Sequence, residues 1–262
     1  MTIPDILALD FDGVCCDGLR EYFETSRRTC ARVWPADEPP AESAFVAFSA
    51  LRPVILSGWE MPVLLRAIAR GVPRAEILGG WERVRAELVA TGSPAGEALI
   101  ARLGHTLDEV RHESIAADEP GWLALHAPYG SLDELRRLVA EPGRSVLVTT
   151  KEGAFARRIL DAWGVRLADV QGKETGVHKC LNLRALIAAW TAERGGRPRL
   201  AFVEDRLETL QHVTTHPDLD DVRLFLAAWG YNTEAARAAA RADSRIRLLT
   251  LEQFRQGSAA WP

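Results

Sequence analysis

The sequence predicts an α/β fold, a doubly wound parallel sheet interrupted early by a long helical insertion. Two patterns carry that prediction. From Leu132 onward, short apolar runs bounded by turns alternate with stretches of helical periodicity, the signature of parallel strands joined by crossover helices. From Leu19 to about Leu125 the periodicity is instead mostly helical, directly after a single strand-like run, Ile6-Leu7-Ala8-Leu9. The first strand and the later ones then belong to one sheet, with the helical stretch inserted between them.

The elements follow in order. After the first strand, helical spacing runs over Arg20 to Val33, Met61 to Arg70, Ala75 to Ala90 and Thr106 to Ile115, with a turn cluster at Pro35 to Pro40. Beyond Leu132, a helix to Val139 leads to the run Ser145 to Thr150, a helix from Phe155 to Trp163 and a short run from Ala168 to Gln171. A long helix from Lys179 to about Glu193 is stopped by Gly195-Gly196 and followed by the run Leu200 to Val203. Next come a helix from Leu207 to Val213, a strand from Val222 to Leu226, an alanine-rich helix from Thr233 to Ala242 and a final run from Ile246 to Leu251; in the Trp229-Gly230-Tyr231-Asn232 stretch Asn232 is expected to cap the alanine-rich helix, the alternative being that the stretch borders the ligand end.

Composition narrows the function. The 262 residues suffice for one large domain or a main domain with a smaller insert. Net charge is -4 and the basic residues are scattered, which excludes the electrostatic footprint of a nucleic-acid binder and points to a small-molecule partner. No run of around 18 apolar residues offers a membrane span, and the first residues carry no leader pattern, so the cytoplasm is the expected compartment. Cys15, Cys16, Cys30 and Cys180 show no CxxC or framework spacing and read as small buried hydrophobes. The histidines show no HExxH-type spacing.

The chemistry begins at Asp10-Phe11-Asp12-Gly13-Val14. In an open α/β sheet ligands bind at the carboxyl ends of strands, so both acids stand where a ligand would. Residues two apart in an extended segment point the same way, which lets the two carboxylates converge. Paired oxygen ligands suit Mg²⁺, and an Asp carboxylate can accept a phosphoryl group while a second acid moves a proton. The next strand delivers Thr149, Thr150 and Lys151, whose hydroxyls and N–H groups make an anion site. The loop Gly172 to Lys179 brings Lys173 and Lys179, either of which can offset phosphate charge. The run ending at Val203 brings Glu204 and Asp205, further carboxylates for a cation. Arg52, Trp59 and Glu60, around the Ser57-Gly58 turn, are candidates for lining a substrate entrance, Arg52 through a second anionic group.

With these motifs in this order the chain resembles the haloacid dehalogenase-like (HAD) hydrolase superfamily over nearly its whole length. The four motifs look like Asp10-x-Asp12-Gly13-Val14, Thr149, a lysine of the 173–179 loop and Glu204-Asp205. Thr149-x-Lys151 and Pro128-Tyr129-Gly130 resemble the phosphoglycolate-phosphatase-like branch. The resemblance implies a Rossmann-like core domain over 1–18 and 126–262 and a helical cap domain over 19–125. It also implies an Mg²⁺-dependent phosphatase of a small phosphorylated metabolite. Asp10 would be the nucleophile, Asp12 the general acid and base, Thr149 with Thr150 and Gly13 the phosphate contacts, and Lys179, which opens a long helix, the stabilising cation, with Lys173 as alternative. Asp10, the backbone carbonyl of Asp12 and Asp205 would hold the metal, and Asp12 favours phosphoryl transfer over dehalogenation. The fourth motif departs from the family pattern, with Glu204 where Gly is usual and Thr209 where a later acid is usual, so Glu204 or Glu208 completes the metal site. That departure keeps a catalytically idle binding protein open as an alternative, and a phosphomutase is a variant of the enzymatic one.

Overall fold

A computed structural model of the chain describes residues 3–92, 95–176 and 178–262. The chain divides into two compact units, one of residues 1–17 and 127–262 and one of residues 18–126. Val177 of the lysine-bearing loop lies outside the described residues.

The first unit is built on six parallel strands. In chain order the strands of the molecule are β1 (Ile6–Leu9), β2 (Cys16–Asp17), β3 (Ala127–Pro128), β4 (Arg144–Val148), β5 (Asp169–Gln171), β6 (Leu200–Glu204), β7 (Arg223–Ala227) and β8 (Ile246–Leu249). The main sheet runs β5-β4-β1-β6-β7-β8, while β2 and β3 form a small antiparallel pair where the chain leaves and re-enters the unit. Counted along the main sheet alone, this is the 3-2-1-4-5-6 order of a doubly wound Rossmann-type sheet. The fold class expected from the sequence is the one observed.

Strand order and parity together decide which residues reach the ligand end. The chain steps outward from β1 to β4 and β5, then crosses back to β6 on the other side of β1, so the winding reverses beside β1 and opens a crevice there. Register aligns Leu9 with Leu147 on one side and with Val203 on the other. One step further, Asp10 N–H donates to Val203 O at 2.9 Å, which brings Asp10 beside Glu204. Ile6, Ala8, Leu200 and Phe202 all pack in one core with Leu183, Leu186 and Leu210 of the overlying helices. Because side chains alternate faces, Asp10 and Glu204 continue that same row toward the helix Lys179–Arg194.

The second unit is helical. Its main helices span Leu19–Val33, Phe45–Leu51, Glu60–Ala69, Arg74–Ala90 and Glu97–Leu123, around Tyr22, Phe23, Phe48, Leu64 and Leu103. The sequence periodicity captured only Thr106 to Ile115 of the last of these. The helix is broken near Pro120, which cannot donate to the helical ladder: Asp118 turns to φ -157° and its carboxylate accepts from Gly121 N–H at 2.9 Å, capping the restarted helix, whose first turn accommodates the proline. Among the described residues no helix is long and apolar enough to cross a membrane.

Phe202 is fully buried in β6 with its ring 5.7 Å beneath the Lys179 ammonium. Phe202→Ala is expected to destabilise the sheet unit by about 3–5 kcal/mol, measured by urea unfolding, through lost apolar burial and the cavity left behind. A loss below about 1 kcal/mol would contradict this placement of the core.

Candidate active site

The segment after β1 is a tight loop rather than the extended strand end that the acid-x-acid spacing suggested. Phe11 O accepts from both Cys15 N–H and Cys16 N–H at 2.9 Å, and Gly13 N–H donates back to Cys16 O at 2.9 Å. The two acids have different partners, yet they stay close enough that, besides burial and Glu204, the charge of Asp12 helps raise Asp10. Asp10 stays at the sheet, while the Asp12 carboxylate stands 3.4 Å from Lys151 Nζ. Gly13 adopts φ +85°, and a Cβ there would lie 2.1 Å from an Asp205 carboxylate oxygen. Only glycine lets the loop pass so close to that acid.

Around Asp10 the carboxylates gather. Ligand oxygens of Asp10, Glu204 and Asp205 all lie within 4.8 Å of one another, and all three residues are buried. Lys179 enters this group from the first turn of its helix, with Nζ 2.9 Å from Asp10 and 2.5 Å from Glu204. Burial alone would pull the lysine down, but the two carboxylates outweigh it and hold it charged well above its ordinary range. Asp10 is pushed up to about 7 by burial and by the charge of Glu204, against the opposing pull of Lys179. Glu204 is likewise raised by burial, with Lys179 opposing.

Each acid has a distinct attachment. Glu204 spends one oxygen on Lys179 and accepts from Arg206 N–H with the other at 3.2 Å. Asp205 accepts from Tyr231 N–H at 2.7 Å, and Asn232 donates to its backbone oxygen at 3.0 Å. Asn232 therefore ties the loop after β7 to Asp205, and the alanine-rich helix is capped by Thr233, whose hydroxyl accepts from Ala236 N–H at 3.1 Å. The expected Asn232 cap is corrected accordingly. Gly230 makes room for this loop, since a Cβ there would sit 2.6 Å from Gly13 O.

The remaining candidates are placed as follows. Thr149 is buried past β4, its N–H donating to Gln171 O and its hydroxyl oxygen accepting from Lys151 N–H at 3.1 Å. Thr150 is exposed. Lys173 pairs with Glu152 at 3.3 Å and Glu208 with Arg206 at 3.5 Å, and neither joins the acid group. Arg52 is buried within the helical unit, donating to Ile55 O at 3.2 Å with its guanidinium 5.3 Å over the Tyr22 ring. Lys151, read from the sequence as part of an anion site, is buried with its ammonium at Asp12, a pairing that the sequence did not indicate. Tyr231, in the stretch read as a possible border of the site, donates its hydroxyl to Asp17 at 3.0 Å, a partner 214 residues away.

Of the expected metal ligands, Asp10, Glu204 and Asp205 lie together in this cluster, with Glu204 also engaged by Lys179 and Arg206 N–H. The expected contribution of Asp12 is its backbone carbonyl, while its carboxylate faces Lys151. Hard carboxylate oxygens of this kind fit Mg²⁺. The raised Asp10 is the mark of a carboxylate group short of positive charge, which a cation would supply.

Because Asp10 titrates higher folded than unfolded, its protonated form favours the folded state. That contribution is complete below about pH 4 and lost as pH rises through about 7. The metal-free protein is therefore expected to lose stability, on the order of 3 kcal/mol, between pH 5 and 8, with Mg²⁺ restoring it and Asp10→Asn flattening the profile. Thermal unfolding across that range checks this, and a metal-free profile identical in wild type and Asp10→Asn would contradict it.

No protein-family model and no curated protein matches the sequence. Solved structures do match its fold. A predicted phosphoglycolate phosphatase from Haemophilus somnus aligns over 89% of both chains with a TM-score of 0.56 at 14% identity. A haloacid dehalogenase-like hydrolase from Streptococcus pneumoniae aligns over 95% of both chains with a TM-score of 0.57 at 10% identity. Protein tyrosine kinase A from Mycobacterium tuberculosis aligns over 89% of this chain and 88% of its own, with a TM-score of 0.55 at 18% identity. At such identities the likeness is one of fold, and the differing names show that this fold does not fix the reaction. The chain has the fold of the haloacid dehalogenase-like hydrolases.

Proposed function

We propose that the protein is an Mg²⁺-dependent phosphatase that hydrolyses a small phosphorylated metabolite through an aspartyl-phosphate on Asp10. The observation that supports this most is the Lys179 ammonium, buried at the sheet's ligand end 2.9 Å from Asp10 and among three converging carboxylates. Structural carboxylates rarely gather this way at a switch point without a ligand to serve.

Asp10 attacks phosphorus, forming its O–P bond as the ester bond breaks, while Asp12 gives its proton to the leaving oxygen. Asp12 then takes a proton from the water that attacks phosphorus and releases the Asp10 carboxylate. Lys151, beside Asp12, balances that acid's charge between the two steps. The Thr149 hydroxyl donates to a phosphoryl oxygen, and Lys179 offsets the charge of the transferring group. Glu204 positions Lys179 and, as the third acid of the cluster, would stand beside the ion as well. Asp10 and Asp205, with the backbone carbonyl of Asp12, would hold Mg²⁺. Bound there, the ion would neutralise phosphate charge and orient the phosphoryl group. The four cysteines are free and buried, which agrees with a cytoplasmic setting where thiols stay reduced.

A second reading, a phosphate-binding protein without turnover, is favoured by one observation: Glu204 already neutralises Lys179 at 2.5 Å. Turnover of p-nitrophenyl phosphate and of a phosphometabolite panel separates the two. The phosphatase predicts turnover that requires Mg²⁺, is abolished by Asp10→Asn and falls roughly 10²–10⁴-fold in Asp12→Asn, the usual worth of a general acid. Absence of turnover across the panel supports the binding protein.

A further inference from the structure

A second set of ligating side chains meets in the sheet unit, on elements the phosphatase reading leaves unused. Cys180 follows Lys179 in the first turn of its helix and is buried. His212 sits near the end of the helix Leu207–Thr214, and His216 follows two residues after it. Pro217 holds His216 extended, at φ -110° and ψ 103°, so the helix stops and the chain folds back. The two imidazoles then meet edge to face with centroids 4.9 Å apart. Cys180 Sγ and one nitrogen of each imidazole all lie within 4.8 Å of one another.

The chemistry of this triad differs from that of the acid cluster. A thiol and two imidazoles are borderline ligands that suit zinc and its neighbours and offer nothing to Mg²⁺. Tetrahedral zinc sets such ligand atoms about 3.3–3.8 Å apart, so rotation of the exposed His212 and half-buried His216 side chains suffices to close the site. Among the described residues neither imidazole donates or accepts a hydrogen bond; the contacts that metal binding would rearrange are the edge-to-face pairing of the two rings and the charge of Asp218 near His216. The nearby cation Arg184, one turn past Cys180, is held by both carboxylate oxygens of Asp218 at 2.6 and 2.8 Å, which offsets its charge.

We propose that Cys180, His212 and His216 bind one divalent cation of the zinc class, with a fourth position left to water. Binding displaces the thiol proton to solvent and forms three metal–ligand bonds. It ties the helix that begins with Lys179 to the helix that begins two residues after Asp205.

Zn²⁺ titration by calorimetry and Co²⁺ absorption spectroscopy test this on the Asp10→Asn protein in excess Mg²⁺, which removes the acid cluster as a competitor. The expected result is one Zn²⁺ per chain, weakened about tenfold or more in each of Cys180→Ser, His212→Ala and His216→Ala. Co²⁺ should show a thiolate charge-transfer band that Cys180→Ser abolishes. His212 is exposed, so His212→Ala keeps the fold, and an unchanged melting curve verifies that. A Co²⁺ spectrum without the thiolate band, or Zn²⁺ affinity unchanged in the His212→Ala/His216→Ala double variant, would overturn the proposal.

Discussion

One buried ammonium organises the ligand end of the sheet. Lys179 bridges Asp10 and Glu204, and without it two buried carboxylates from adjacent strands would face each other. Uncompensated, such a pair takes up a proton or forces the strands apart. The ammonium does neither job alone, because Asp205 brings a third acid into the same space and Asp10 remains raised toward neutrality. The charge balance is therefore short of positive charge by design of the strand register, and a site in that condition attracts a cation.

Register explains why these groups meet at all. Parallel pairing of β1 with β6 sets Asp10 beside Glu204, and alternation along each strand sends both toward the face carrying the helix that begins at Lys179. Asp205, one residue on, leaves the sheet and is caught by the loop after β7 through Tyr231 and Asn232. Glycines at positions 13 and 230 let two loops close over that acid, each where a Cβ would collide. Three segments distant in sequence thus depend on close packing at a single carboxylate.

Local signals made the fold legible. Alternating apolar runs and helices announced the parallel sheet, and the long helical stretch after Ile6–Leu9 announced the insertion. Asp10, Thr149 and Asp205 stood out because each follows a strand. What stayed hidden required long-range knowledge. The partition of Asp12 to Lys151 depends on how the loop from Phe11 to Cys16 winds, and two acids at i and i+2 look convergent only if the backbone stays extended. Glu204 read as a metal ligand and does lie among the clustered acids; its engagement with both Lys179 and Arg206 N–H is visible only in three dimensions. In the helical unit, Arg52 read as a surface cation or a substrate contact, but apolar neighbours and the Tyr22 ring bury it.

The central claim of the proposed function is that a carboxylate oxygen of Asp10 receives phosphorus, with Lys179 beside it. Crystallography of the protein with Mg²⁺ and beryllium fluoride, a mimic of aspartyl-phosphate, tests this directly. The account predicts beryllium bonded to an Asp10 carboxylate oxygen, Lys179 and Thr149 in contact with its fluorides, and Mg²⁺ on Asp10 and Asp205. Beryllium fluoride bound away from Asp10, or Mg²⁺ held by Glu204 with Lys179 displaced, would contradict it.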